Sequence, residues 1–363
     1  MKVLFVFNHK APYKISLFNG LAQYIDLTVY FERDKAKDRN KNFYNENEYN
    51  FKSITLKNGY IGKENSLSFK LKNYIKNHYK EFDLIIMNGY STFSEMIALN
   101  FMIKHNIPYS FYINGGIKKK GNIIKRLIKE KYIRHAQNYF SPGIAADPYL
   151  IDLGANKDKI FHYSYSTIYE KEILKEPLSQ KEKDELEKKY HLNIKGKTFV
   201  TSGQFIKRKN NMQLIKIFAF RKENLVLIGD GKEKKKYLEY INKNKIFNIH
   251  IVPFLPKKEL LQLLSCFDYY ITLSKEDIYG HTVNEAFSRG LPVICSNKVI
   301  AGQQLIKNGI NSFLVDINDE ESIIKALNNI ESIKREEVIK TANENTIEKS
   351  IKDHLNILKG LEK

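Results

Sequence analysis

Glu285 lies one turn inside a helix-compatible segment of the stretch SKEDIYGHTVNEAFSRGLPVICS, residues 274–296. A carboxylate there can accept hydrogen bonds from sugar or ribose hydroxyls. The polar loop before it contains Gly280 and runs into the helix at His281 and Thr282, offering unpaired backbone N–H groups that suit a phosphate. A second cluster lies upstream in TFVTSGQFIKRKNNMQLI. Gly203 lets the backbone come close to a ligand, and Lys207, Arg208 and Lys209 put cationic donors at a helix entrance, where they can neutralise a diphosphate. A third, LVLIGDGKEKKKYL, places Gly229 and Gly231 just after an apolar run. Lys234 stands where a dinucleotide fingerprint has its third glycine, and no Walker sequence occurs, which argues against a dehydrogenase and a P-loop NTPase. Taken singly, each cluster also reads as an ordinary αβ unit with solvated charges.

The elements that must hold these residues recur along the chain. Apolar runs at residues 3–7, 27–31, 84–87 and 109–113, then 198–201, 225–228, 249–252, 270–273, 291–295 and 313–315, alternate with helix-compatible segments. That rhythm predicts parallel sheets wound by right-handed crossovers. Residues 170–196 are highly charged and contain Pro177, as expected of a linker with a surface helix. The expected organisation is α/β, with two doubly wound parallel-sheet domains facing a cleft that is the default ligand site. Its spans are 1–168, 169–345 and a C-terminal helix over 346–363 that packs on either domain.

A chain of 363 residues accommodates two moderate domains. No apolar segment approaches the roughly 20 residues that span a bilayer, and the N-terminus lacks signal-peptide architecture, so a cytoplasmic protein is expected. Cys266 and Cys295 both sit in apolar surroundings and suggest neither a disulfide framework nor a metal site. The net charge of +19 favours anionic partners: nucleic acid, an anionic membrane face or phosphorylated small molecules. An AT-rich coding sequence, reflected in abundant Lys, Ile, Asn and Tyr, explains the same excess without a partner.

Together the motifs resemble the retaining, nucleotide-sugar-dependent glycosyltransferases of the GT-B fold, the bacterial group called family 4. Five motifs stand in the family's order: the turn at 203–210, the glycines at 229–231, NIHIVPFLPKKELLQLLSCFDYYITLS, DIYGHTVNEAFSRGLPVICS with acidic residues eight positions apart, and GINSFLV. The resemblance implies that Glu285 holds the ribose hydroxyls and that Asp277 takes the place of the first glutamate, which contacts the donor sugar. Asp277 is one methylene shorter than that glutamate, and Glu276 is a neighbouring substitute. Lys209 matches the lysine that contacts the diphosphate. Gln204 stands where the family has an arginine, with Arg208 as the compensating cation. Backbone around Gly280, His281 and Thr282 completes the phosphate cradle. In the first half, FNHKAPYKISLFNGLA is similar to an N-terminal loop in which Pro12, Tyr13 and Lys14 face the acceptor cleft. In YINGGIKKKGNIIKRLIKEKYI, the resemblance puts Asn114, Gly115 and Gly116 at the end of a strand on the acceptor side.

The implied reaction moves a sugar from a nucleotide-diphosphate donor, a UDP-sugar favoured over a GDP-sugar, to a hydroxyl of a glycan or lipid-linked acceptor with retention, in bacterial surface polysaccharide or glycoconjugate synthesis. No Asp-x-Asp pair occurs in the sequence, so metal independence is expected, with the nucleotide sugar as co-substrate and no cofactor. Between Lys118 and Arg134 eight basic residues, among them Lys119 and Lys120, interleave with Ile123, Ile124, Leu127, Ile128, Tyr132 and Ile133. Such a helix either lies on an anionic membrane surface or packs its apolar side on the core. Two rival functions stay open: a GT-B epimerase or phosphosugar enzyme, and a basic nucleic-acid-binding protein, although no recognisable nucleic-acid module occurs.

Overall fold

The computed structural model describes every residue except 36–43, 45–47, 57, 62–64, 119–121 and 363. Lys119 and Lys120 therefore lie outside the described residues. The chain divides into two compact units, Met1–Tyr165 with Ile347–Lys363, and Ser166–Thr346.

In the first unit the strands are β1 (Lys2–His9), β2 (Asp26–Arg33), β3 (Lys52–Thr55), β6 (Leu84–Met87), β7 (Ser110–Tyr112), β8 (Tyr139–Ser141) and β9 (Ile160–His162), with β4 (Tyr60–Ile61) and β5 (Asn65–Ser66) as a separate antiparallel ribbon. The seven-stranded sheet runs β3-β2-β1-β6-β7-β8-β9, every neighbour pair parallel. Val3, Leu4, Phe5 and Val6 are buried on both faces, as a central parallel strand covered by helices requires. Three of these strands fall outside the apolar runs read from sequence. β3 is a half-buried edge, and β8 and β9 are three residues long, too short for a periodic signal.

The second unit repeats the plan with β10 (Thr198–Ser202), β11 (Asn224–Ile228), β12 (Ile249–Val252), β13 (Tyr269–Thr272), β14 (Val293–Ser296) and β15 (Phe313–Val315), ordered β12-β11-β10-β13-β14-β15 and all parallel. In each sheet the winding reverses beside one strand: β1 against β6, and β10 against β13. Chain leaving those strands at their carboxyl ends diverges to opposite sides and opens a crevice.

Towards the C-terminus the helical stretch is in two pieces, Arg335–Asn343 and Ile347–Leu361. Asn345 breaks it: its side chain donates back to Thr341 O, and its carbonyl accepts from Asn284 Nδ2 at 3.0 Å. Asn and Thr side chains compete with helical backbone bonds in this way. The second of these helices belongs to the first unit, where Ile351 packs on the bare backbone of Gly20 in the helix Pro12–Leu21.

At the ends of β10 and β11 backbone packs on backbone. Gly229 has φ +152°, and a Cβ there would stand 1.9 Å from Gly203 O; at Gly231, φ +153°, it would stand 2.5 Å from Phe205 O. No rotamer change relieves such a clash. Gly229→Ala is expected to lower the unfolding free energy by about 3 kcal/mol, measured by urea denaturation. A loss within about 0.5 kcal/mol, the range of an ordinary surface substitution, would show that this turn does not depend on glycine.

Candidate functional site

The crevice beside β10 and β13 gathers the charged residues of the second unit. β10 ends at Gly203, φ +137°, whose amide donates to Ile228 O at 3.0 Å. The chain then forms a short 3-10 turn, Lys207–Lys209, passes through Asn210 in the left-handed region at φ +58°, and enters the helix Asn211–Phe218. Asn210 Nδ2 donates to Leu273 O at 3.0 Å, and Lys275 N donates to Arg208 O at 2.9 Å. These bonds tie the loop after β10 to the loop after β13. Tyr270 closes the floor: its hydroxyl accepts from Ser202 N at 3.0 Å and hydrogen-bonds Thr282.

On that frame Asp277 receives two cations. Arg208 Nη1 donates to Glu276 O at 2.7 Å and to Asp277 Oδ1 at 3.1 Å, while Lys209 Nζ donates to Asp277 Oδ2. Burial pushes the Asp277 carboxyl up, but the charges and hydrogen bonds of Lys209 and Arg208 outweigh it and hold the group below the usual Asp value. Two cations on one carboxylate leave one net positive charge at the crevice. The backbone of Asp277 is fixed independently, its amide donating to Lys298 O at 3.0 Å. The ammonium end of Lys209 also lies over Gly203, within 3.8 Å of where a Cβ would stand.

Glu285 sits in the helix Thr282–Phe287, which Gly290 terminates at φ +77°. Thr167 Oγ1 donates to Glu285 Oε1 at 3.4 Å. Burial raises the Glu285 carboxyl above its ordinary value, opposed by the charge of Lys257, the Thr167 bond and the charge of Lys209, and reinforced by Glu172. Lys257 itself donates to Thr167 O at 2.6 Å and to both oxygens of Glu172 at 2.8 and 2.6 Å. Thr167, Glu172 and Lys257 escaped the reading of the sequence. The only local signal was Pro256-Lys257 at a helix start, and nothing in it points to Glu285.

The turn at Gly280, His281 and Thr282 is braced from within. Gly280 has φ +99°, a Cβ there would meet Val299 Cγ1 at 2.5 Å, and its carbonyl takes the Val283 amide at 3.1 Å. The helix that follows has only six residues, so less of a dipole faces outward than the sequence implied. The His281 ring stands 5.0 Å from that of Tyr279, at packing distance. Gln204 lies in the turn after Gly203, its carbonyl accepting from Ile206 N at 3.0 Å. Gly229 and Gly231 serve this site as packing surfaces for Gly203 and Phe205. Among the described residues no group of three or more His, Cys, Asp or Glu is gathered as a metal site would need.

The residues assigned to the acceptor side all belong to the first unit, and Lys14 departs from its expected place. It is 1 % exposed rather than facing a cleft. Its Nζ donates to Tyr112 Oη at 2.9 Å and lies 4.2 and 4.4 Å from the ring centroids of Tyr165 and Tyr112. Helix periodicity turns it inward from Pro12, and five aromatic rings replace its water. Burial pulls its pKa well below that of a free lysine. Pro12 and Tyr13 are half-buried. Asn114 Nδ2 donates to Asn88 Oδ1 at 3.2 Å, and Asn88 in turn bonds Val6 O and Tyr112 O, joining the ends of β1, β6 and β7. Gly115 and Gly116 lie past the end of β7, which stops at Tyr112; a Cβ on Gly116 would strike the Tyr149 ring at 2.4 Å.

Comparison with known proteins matches residues 182–349 to the family model described as glycosyl transferases group 1. Two curated proteins are similar over part of their length. One is the GtfA subunit of the UDP-N-acetylglucosamine--peptide N-acetylglucosaminyltransferase of Streptococcus agalactiae, 30 % identical over 89 residues, which is 24 % of this chain and 17 % of that protein. The other is the uncharacterized glycosyltransferase MJ1178 of Methanocaldococcus jannaschii, 27 % identical over 143 residues, 39 % of this chain and 40 % of that one. The chain thus spans less than half the length of the curated relatives it matches. Among solved structures, Anabaena Alr3699/HepE in complex with UDP superposes with a TM-score of 0.75 at 15 % identity, covering 99 % of this chain and 100 % of that one. The chain carries a glycosyl transferases group 1 domain and has the GT-B fold.

Proposed function

We propose that this protein is a retaining, metal-independent glycosyltransferase of family 4 that moves a sugar from a UDP-sugar to a hydroxyl of a glycan or lipid-linked acceptor, at the cytoplasmic side of the membrane in bacterial surface polysaccharide or glycoconjugate synthesis. The observation that carries the reading is the cluster of Lys209, Arg208 and Asp277 beside the Gly203 turn, with Glu285 in the first turn of the helix that follows the Asp277 loop. Uridine is favoured because Alr3699/HepE is solved with UDP and with UDP-glucose, and the GtfA relative is named for UDP-N-acetylglucosamine.

Lys209 and Arg208 take the diphosphate. In the free protein Asp277 neutralises them in part; an arriving diphosphate competes for both cations and leaves the carboxylate to accept hydrogen bonds from the donor sugar. Glu285 accepts from the ribose hydroxyls, with Thr167 and Lys257 holding it in place. As the anomeric C–O bond to phosphate breaks, negative charge grows on the leaving diphosphate, where fixed cations stabilise the transition state. The acceptor oxygen forms the new C–O bond on the same face, and its proton passes to the departing phosphate oxygen, so no protein nucleophile is needed.

The acceptor side belongs to the first unit, with Asn114 and Gly115 at the carboxyl end of β7. Its basic helix Ile123–Arg134 supports attachment to an anionic membrane surface. Ile123, Ile124 and Leu127 are 74 %, 68 % and 59 % exposed, so the apolar side faces out, and only Tyr132 and Ile133 are buried. No described helix is long and apolar enough to cross a membrane.

A thermal-shift screen against UDP, GDP, ADP, CDP and dTDP tests the donor. A ligand at 100 times its dissociation constant adds about 2.7 kcal/mol. UDP is expected to stabilise the wild type, Glu285→Ala to lose the effect, and Lys209→Ala to weaken UDP roughly 10- to 100-fold through one lost charge-assisted bond. Stabilisation by nucleic acid or a phosphosugar instead would overturn the reading. For the membrane, Ile124→Glu with Leu127→Glu should abolish sedimentation with vesicles rich in phosphatidylglycerol and leave UDP binding intact; unchanged sedimentation would remove the helix from that role.

A further inference from the structure

Among the described residues, two carboxylates outside the donor site have no counter-charge matched to them by a hydrogen bond. Glu32 on β2 and Glu95 in the helix Phe93–Lys104 are both 0 % exposed. Glu32 Oε1 accepts from Thr92 Oγ1 at 2.6 Å and Ser66 Oγ at 3.0 Å, and Ser66 Oγ is also 2.8 Å from Ser94 Oγ. Glu95 Oε2 accepts from Ser91 N at 2.8 Å, Thr92 N at 3.1 Å and Ser91 Oγ at 3.3 Å. The remaining oxygens, Glu32 Oε2 and Glu95 Oε1, are buried without a hydrogen-bond partner among the described residues. A buried acceptor with nothing to accept costs the full loss of its water.

We propose that Glu32 and Glu95, both hydrogen-bonded to Thr92, form a buried proton-binding site in which one of the two carboxyl groups stays protonated. The proton removes one of two like charges from a dry interior. A metal ion fits less well. Calcium or magnesium needs about six oxygen ligands, and among the described residues no third carboxylate or imidazole joins the pair. The electrostatics agree: burial, then the charge of Glu32, pushes the Glu95 carboxyl up to about 8, and burial raises Glu32 against the bonds from Thr92 and Ser66 and the charge of Arg33. The other titratable groups facing the pair are Tyr30 on β2, Tyr60 on β4 and Tyr90 in the loop before the helix.

What the proton controls is the loop after β6. Glu95 Oε2 holds the amides of Ser91 and Thr92, and a Cβ on Gly89, φ +126°, would stand 3.2 Å from Glu95 Oε1. This loop leaves the sheet where the winding of the first unit reverses, so its shape at the crevice depends on whether the pair is protonated. When both carboxylates are charged, repulsion favours moving Glu95 and the two amides it holds.

Infrared difference spectra of the full chain, taken while raising the pH, test the site. The wild type should show the carbonyl band of a buried carboxylic acid that disappears with a midpoint near 8. Glu95→Gln, which retains the N3 half of the helix cap, should lack it. Glu32→Gln removes the charge that raises Glu95, so its band should disappear at lower pH; that shift decides the question even if Glu95→Gln fails to fold. Stability gives a second readout. Glu95 titrates at 4.5 in its ordinary state and near 8 when folded, so the unfolded chain releases a proton that the folded one keeps. The folding equilibrium should fall about tenfold per pH unit between those values in the wild type relative to Glu95→Gln. A missing band in the folded wild type, a midpoint that Glu32→Gln leaves in place, or Glu95-dependent stabilisation by magnesium, calcium or potassium would each overturn the bound proton.

Discussion

Parallel pairing of β10 with both β11 and β13 is the constraint on which the donor site depends. Parallel strands are joined by crossovers, and a crossover to each side of β10 makes the chain part at its carboxyl end. The loop after β10 and the loop after β13 then meet although 68 positions separate Lys209 from Asp277. The two loops hold each other through Asn210 with Leu273, Lys275 with Arg208, and the two cations on Asp277. If β13 paired anywhere else, the cations would stand at a strand end with no carboxylate to position them.

Backbone takes part in this site as much as side chains do. Gly203, Gly229 and Gly231 pack main chain against main chain, which brings the ends of β10 and β11 closer than any Cβ allows. The turn that results keeps the ammonium of Lys209 near a bare backbone surface, the arrangement an extended anion such as a diphosphate requires. Gly280 is held in the same economical way: its carbonyl accepts from the Val283 amide, which stiffens the loop.

The first unit solves a different problem. It carries ionisable groups deep in its interior, and each is accommodated by neighbours from distant parts of the chain. Lys14 is surrounded by rings and bonded to Tyr112, whose hydroxyl also lies 3.2 Å from Nε2 of His354 on the C-terminal helix. Burial holds His354 down to about 3, so it is a neutral imidazole that accepts or donates one bond on each side. The C-terminal helix is thereby joined to the unit by a polar network as well as by the packing of Ile351 on Gly20.

Much of the second unit was legible in the sequence because its information is local. β15 and most of β11 coincide with uninterrupted apolar runs, β12 with one broken only by His250, Gly290 closes its helix, and the glycine turns follow directly on strand ends. Periodicity and turn chemistry act over a few residues, so the residues alone determined an α/β chain of two units with its glycines, Lys209, Asp277 and Glu285 at strand ends and helix starts. Only the tertiary structure decided the rest. Lys14 reads as one more surface lysine until Tyr112, Tyr163 and Tyr165 close over it; Glu32 reads as the polar end of a strand until Ser66, Thr92 and Glu95 meet it; Lys257 is unremarked until Thr167 and Glu172 place it beside Glu285. Each of those partners lies at least 34 positions away. The cost of burying a charge is set by whatever surrounds it in space, and that is known only once the sheets have formed.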